Sequence, residues 1–132
     1  MQNVTTEFSF MLHPAEHDIG VFAAHGIKSG TLLRLFGNET AELEGGRAVY
    51  KSTFRNSMRK EDVPEFFRQY CRDKGDNTLF CPQNFGCMEI GWYLNHSETP
   101  NVYEEPGFDY FALRDIKKGE EITIDYNTIG VL

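Results

Sequence analysis

The chain has 132 residues and a formal net charge of -7, with 40% hydrophobic and 25% charged residues. That length holds one domain with one modest core, and no run approaches the ~20 apolar residues of a membrane-spanning helix. The acidic balance argues against a duplex nucleic-acid binder, which needs a basic face; the short Arg55, Arg59, Lys60 cluster is too small to supply one. Most of these charges read as a solubilising surface, and the acidic balance also fits a basic partner. Residues 1–14 lack a basic stretch followed by an apolar core, so no secretory signal is expected. Cys71, Cys81 and Cys87 are odd in number, which predicts reduced thiols in an intracellular protein, cytoplasmic or nuclear.

In chain order, Val4 to Leu12 reads as a half-buried strand with Phe8, Phe10 and Leu12 on one face, stopped by His13-Pro14. A loop from Ala15 to Gly20 leads into a short strand, Val21 to Ala24, and Thr31 to Phe36 returns as another. Gly37-Asn38 marks a turn. Thr40 to Leu43 and Arg47 to Thr53 read as a hairpin across Glu44-Gly45-Gly46. Phe54 to Glu61 reads as loop. Asp62 is a good N-cap, Pro64 suits a first turn and Lys74-Gly75 a helix end, and Val63, Phe66, Phe67, Tyr70 and Cys71 recur at helical spacing. A core-facing helix over about 62–74 follows. Asp76 to Gly86 reads as loop. Strands are expected near 101–104 and 108–113, with a turn at Glu105-Pro106-Gly107. In a last strand Ile122, Ile124 and Tyr126 share one face. This is a β-rich mixed α+β chain of short strands and one helix. Its cysteines contain no C-x2-C pair, and Cys71, Cys81, Cys87 and His96 lack the usual zinc spacing, so buried thiols rather than a metal are expected.

Two polar clusters stand out against this background: Asn95-His96-Ser97 closed by Pro100-Asn101, and Gly119-Glu120-Glu121 leading to Asp125-Tyr126. Side-chain amides buried without partners would cost roughly 1–3 kcal/mol each, so backbone or ligand should receive them. NHSETPN followed by FALRDIKKGEEITIDY resembles the C-terminal half of a SET domain. Residues 17–23, HDIGVFA, with Ile27-Lys28-Ser29-Gly30-Thr31-Leu32, are similar to its N-terminal half. The ordered set covers most of the chain. The resemblance implies the SET fold with a C-terminal pseudoknot, an exception to the rarity of threaded chains. It also implies one domain divided into an N-terminal part (1–37), an insert region (38–87) and a C-terminal part (88–132).

The same resemblance implies transfer of a methyl group from S-adenosyl-L-methionine to a lysine of a protein substrate. The cofactor would be held by Asp18, Ile19 and Gly20, by Asn95 and His96, and at Tyr126, whose hydroxyl would lie beside the transferring methyl. Tyr93, Tyr110 and Ile124 are the candidate walls of the substrate channel. A lysine ammonium, with a reference pKa near 10.4, must lose its proton before attack, which an aromatic-walled slot favours. The partner would be a protein with an exposed lysine in a basic segment, with no nucleic acid and no membrane. Three departures bear on this. Asp18 stands where the family usually has a glycine. Ile124 stands where many members have an aromatic residue. Only six residues follow Tyr126, so another subunit (a homodimer), the insert helix or the substrate would have to close the channel. The alternative expectation is a non-catalytic SET-like interaction module that has lost its cofactor.

Overall fold

The computed structural model describes residues 3–16, 18–36, 39–44, 47–52, 55–82, 84–105 and 109–127. The elements in chain order are β1 (Phe10–Pro14), β2 (Ile19–Ala23), β3 (Leu32–Leu33), β4 (Glu39–Glu44), β5 (Arg47–Ser52), β6 (Arg55–Arg59), α1 (Glu65–Arg68), β7 (Arg72–Gly75), β8 (Thr78–Pro82), β9 (Asn95–His96), β10 (Val102–Glu105), β11 (Asp109–Ala112) and β12 (Glu121–Ile124). They form two compact units: Met1–Leu35 with Tyr93–Leu132, and Phe36–Trp92. The turns expected at Gly37-Asn38, Gly45-Gly46 and Pro106-Gly107, and His17 of the loop motif, lie outside the described residues. No described helix is long and apolar enough to cross a membrane.

The first unit contains two small sheets, in the orders β1-β2-β12-β9 and β10-β11-β3. Strand β12 is the axis of the first. Its start pairs antiparallel with β2 and its end pairs parallel with β9. Ile122 and Ile124 are fully buried, which stabilises the unit by about 1.5–3 kcal/mol each and sets the register. A slip of one residue would expose both and bury their polar neighbours Glu121 and Thr123.

Asn101 completes the edge of β12 that β2 does not cover. The Ala23 amide donates to Glu120 O, so alternation turns the backbone groups of Glu121 and Thr123 the other way. There Asn101 Nδ2 donates to Glu121 O at 2.8 Å, and Asn101 Oδ1 accepts from the Thr123 amide at 2.9 Å. Its own backbone carbonyl accepts from Leu113 N. The side chain, 2% exposed, thus stands in for one residue of a missing strand. It fixes the last strand against the Asn95–Asn101 segment.

Two matching turns brace this arrangement. Ile27 and Ile116 exchange backbone hydrogen bonds with each other, and each is followed three residues later by a glycine at positive φ, Gly30 at 81° and Gly119 at 84°. Only a residue without a Cβ takes that conformation freely. Strand β1 departs from expectation: Phe8 is 78% exposed and Leu12 45%. The reason is that β1 lies at the sheet edge, and Thr6 to Ser9 forms a turn. That turn is anchored by fully buried Ser9, whose Oγ bonds His25 Nε2 at 2.8 Å.

In the second unit β4 and β5 pair as the expected hairpin. Strands β6, β8 and β7 form a three-stranded sheet where loop and helix were expected. The helix over 62–74 is corrected to α1, four residues long. Gly75, Asp76 and Asn77 take φ values of 82°, 52° and 60°; the glycine read as a helix end instead opens the β7–β8 turn. The aromatic stripe is corrected as well. Val63 joins a core with Leu79 and Cys81, but Phe66 is 66% exposed and Phe67 36%. Those two rings pack edge-on against each other and against Tyr70 and Phe85. Cys71 and Cys81 are free thiols in contact at 3.2 Å, and burial pushes both thiols up. Among the described residues no cluster of three or more His, Cys, Asp or Glu could hold a metal.

One ion pair tightens the approach to β12. Arg114 donates to Glu120 Oε2 at 2.5 Å, the Lys117 amide donates to Oε1, and Asn101 Nδ2 adds a longer bond to Oε2. Arg114 above all holds the Glu120 carboxyl down to about 2. A lowered carboxyl stabilises the fold above its unfolded value, near 4.3, and that contribution is lost as pH falls through the folded value. The stability gap between the native chain and Glu120→Gln should therefore be full at pH 6 and shrink steadily below pH 4. Salt should narrow it, because the pair is partly solvated. Urea midpoints across that range check this; a gap that does not depend on pH would contradict it.

Candidate active site

The first unit brings most of the sequence-selected residues together around the junction of β2, β9 and β12. The route begins at the β1–β2 turn, where Ala15 N donates to Asp18 O at 2.7 Å. Asp18 has φ 73°, so aspartate occupies a left-handed position, which it tolerates better than most residues. Gly20 follows in the buried part of β2. A Cβ there would run into Glu121 Oε2, and would lie 3.0 Å from Asn95 Nδ2 and 3.1 Å from the Ala15 Cβ. The glycine is required because those side chains fill its space.

Asn95 is the centre of this packing. Its Nδ2 donates to Glu121 Oε2 at 2.8 Å and to Ile19 O at 3.3 Å, tying β9 to the glycine loop and to β12. Its neighbours on either side hold Tyr126. The Tyr126 hydroxyl donates to Leu94 O, and the Tyr126 amide donates to His96 Nδ1 at 3.0 Å. Acceptance at Nδ1 puts the proton of a neutral His96 ring on Nε2. The two rings sit 5.3 Å apart at 51°, and Asp125 Oδ1 lies 3.7 Å from the same Nδ1. Tyr126 is 39% exposed, so its ring is anchored at both ends yet open to solvent.

The chemistry of this cluster is rich in acceptors: the carboxylate of Glu121, the carbonyl of Ile19 and the anchored oxygen of Tyr126. Such a set suits a cationic small molecule better than an anion. The expected channel residues are placed differently from one another. Tyr93 is half-buried at the end of the turn Ile90–Tyr93. Tyr110 is 2% exposed and Ile124 fully buried, because strand alternation turns both into the core. Two contributors are not among the expected site residues: Leu94, through its carbonyl, and Glu121, which belongs to the Gly119-to-Tyr126 cluster but has no expected role of its own. Glu121 could have been found from alternation on β12, which separates it from Ile122 and Ile124; a backbone carbonyl leaves no trace in residue type.

A small strand-rich domain with its last strand held by an asparagine, and a tyrosine fastened beside an Asn-His pair, defines a recognisable class. The SET domain family profile matches residues 18–127. The chain belongs to the SET domain family. A similar curated relative is the histone-lysine N-methyltransferase, H3 lysine-36 specific, of Kluyveromyces lactis, 34% identical over 89 residues. That alignment covers 62% of this chain and 12% of the relative, so the chain spans about an eighth of the curated relative's length. A solved structure of a Plasmodium falciparum protein, described provisionally as a histone methyltransferase, shares the fold with a TM-score of 0.56 at 21% identity. It covers 92% of this chain and 95% of that one.

The packing around Gly20 predicts a sharp contrast between two substitutions. Gly20→Ala should lower the unfolding free energy by about 1–3 kcal/mol, as overpacking does. Asp18→Gly, at a position already left-handed, should change it by less than about 1 kcal/mol. Urea denaturation of both variants checks this; equal losses would contradict the packing argument.

Proposed function

We propose that this chain is an S-adenosyl-L-methionine-dependent protein-lysine methyltransferase. The observation that carries the reading is the double anchoring of Tyr126, through its hydroxyl to Leu94 O and its amide to His96 Nδ1, on either side of Asn95. Family membership and a curated relative named for histone-lysine methylation support it. The acidic net charge of -7 supports a substrate whose exposed lysine lies in a basic segment.

Asp18, Ile19 and Gly20, with Asn95, His96 and Tyr126, would hold the cofactor. The acceptor-rich donor set fits a ligand that carries a sulfonium and an ammonium. When bound, that group supplies an electrophilic methyl. The rest is the work of the protein. Tyr126 gives its hydroxyl proton to Leu94 O, which leaves its oxygen lone pairs to orient the substrate amine and to stabilise positive charge near the methyl. It is not the base, since a phenol near pKa 10 is protonated at neutral pH. His96 holds the backbone of Tyr126 through a neutral ring. Gly20, filled by Asn95 and Glu121, keeps the loop close to β9. Tyr93 and Tyr110 would provide aromatic walls, and Ile124 apolar volume, which favour an uncharged amine.

Tyr126→Phe should abolish methyl transfer from labelled S-adenosyl-L-methionine to a lysine-bearing protein substrate, while cofactor affinity stays within about threefold, since phenylalanine keeps the ring and removes only the hydroxyl that acts in the transfer. Full activity in that variant would remove Tyr126 from the mechanism.

A further inference from the structure

The three-stranded sheet β10-β11-β3 has two faces that its register separates cleanly. Tyr103 pairs with Phe111, and Phe111 with Leu32. Directly opposed residues point to the same side, so these three form one row across the sheet. Glu105 pairs with Asp109. Each lies two residues along its strand from Tyr103 or Phe111, so this second row shares their face. It is the outer face. Tyr103 is 37% exposed, Glu105 and Asp109 are exposed, and Phe111 and Leu32 are half-buried. Val102, Tyr110, Ala112 and Leu33, which point the other way, are each at most 2% exposed.

Two features of this face are unfavourable for an isolated domain. The Tyr103 and Phe111 rings stack at 5.7 Å and 27°, which gathers apolar area into one patch on the surface instead of in the core. Beside them Glu105 and Asp109 set two carboxylates directly opposite each other, and like charges so placed are destabilising, by about 0.2–1 kcal/mol. Among the described residues no basic side chain pairs with either carboxylate. Strand β3 ends at Leu33, so its register supplies no residue opposite Asp109. An aromatic patch and an uncompensated carboxylate pair on one face are both relieved by the same kind of partner, a cation with an apolar stem.

Geometry narrows that cation to a guanidinium. The two rows lie about 7 Å apart, two residues along the strands. An arginine side chain covers that span, with its methylenes on the rings and its head at the carboxylates. Its planar fork of five N–H donors can serve both carboxylates at once and can stack on a ring face, whereas an ammonium is a compact, strongly hydrated point charge. An apolar partner would strip water from two carboxylates without replacing it. The net charge of -7 draws basic segments to the chain as a whole.

We propose that the outer face of β10 and β11 is a docking surface for a basic protein segment, and that Glu105, Asp109, Tyr103 and Phe111 hold an arginine of that segment. The surface has no part in holding the cofactor or in the transfer step. It does not rest on the lysine-transfer reading, because the residue it grips is an arginine and stays charged.

The test uses the full chain, isotopically labelled, titrated at neutral pH and low salt with a blocked tetra-arginine peptide. Tetra-citrulline, its neutral counterpart, and tetra-lysine are the comparison probes. Saturable shifts of the Tyr103, Glu105, Asp109 and Phe111 amide signals are expected with arginine, none with citrulline, and binding at least about threefold weaker with lysine. In the double variant Glu105→Gln, Asp109→Asn the affinity for tetra-arginine should fall at least about tenfold, and in Tyr103→Ser about threefold. Glu105, Asp109 and Tyr103 are exposed, so amide signals elsewhere should keep their positions in these variants. The proposal is overturned if the wild-type chain shows no saturable shift at these four residues, if citrulline shifts them equally, if lysine binds as tightly as arginine, or if the double variant binds arginine unchanged. The comparison of the three probes needs only the wild-type chain. It uses neither cofactor nor reacting lysine, so a chain that transfers no methyl group can still pass it, and an active enzyme can still fail it.

Discussion

The carboxamide of Asn101 is the constraint on which the rest of the first unit depends. A strand that pairs with one neighbour at its start and another at its end leaves backbone groups between them uncovered, and buried orphans of that kind cost roughly 1–3 kcal/mol each. Asn101 covers two of them, donating to Glu121 O and accepting from Thr123 N, from a position that is 2% exposed. Aspartate could not do both, since an ionised carboxylate has no proton to donate. Because Asn101 ends the segment that begins at Asn95, fixing β12 also fixes β9.

From that fixed pair the site assembles by packing rather than by any single strong bond. Asn95 reaches the glycine loop and Glu121 together, and Gly20 is small because those two side chains occupy its place. Tyr126, two residues past the end of β12, falls between the carbonyl of Leu94 and the ring of His96. A tyrosine held by both its hydroxyl and its backbone has few rotamers to lose when a substrate arrives, which is what preorganised chemistry needs.

The parts of the chain that were readable and those that were not divide along physical lines. The Asn95-His96 and Gly119-to-Tyr126 clusters announced themselves because buried amides and carboxylates must find partners, and they found each other. The φ of 73° at Asp18 agrees with a glycine-like role for that residue. The insert misled, because Val63, Phe66, Phe67, Tyr70 and Cys71 have helical spacing but only part of the set is buried; a short apolar pattern cannot reveal what lies across from it. Gly75 suited a helix end and a hairpin turn equally, and the choice was made by long-range pairing of β7 with β8. The parallel pairing of β12 with β9 likewise joins segments far apart in sequence, which no local pattern encodes. Ile124 and Tyr110 were chosen for residue type, and strand alternation decided which way they face.

The two readings of the site, methyltransferase and cofactor-free interaction module, differ in one observable. Asp18 in place of a glycine favours the second only if it prevents binding, and its left-handed backbone removes the steric reason to expect that. Calorimetric titration of the chain with S-adenosyl-L-methionine tests this most directly. The account predicts saturable binding with one molecule per chain, weakened when Asn95 is changed to Ala. No detectable heat of binding up to millimolar cofactor would contradict it and leave the interaction module as the better description.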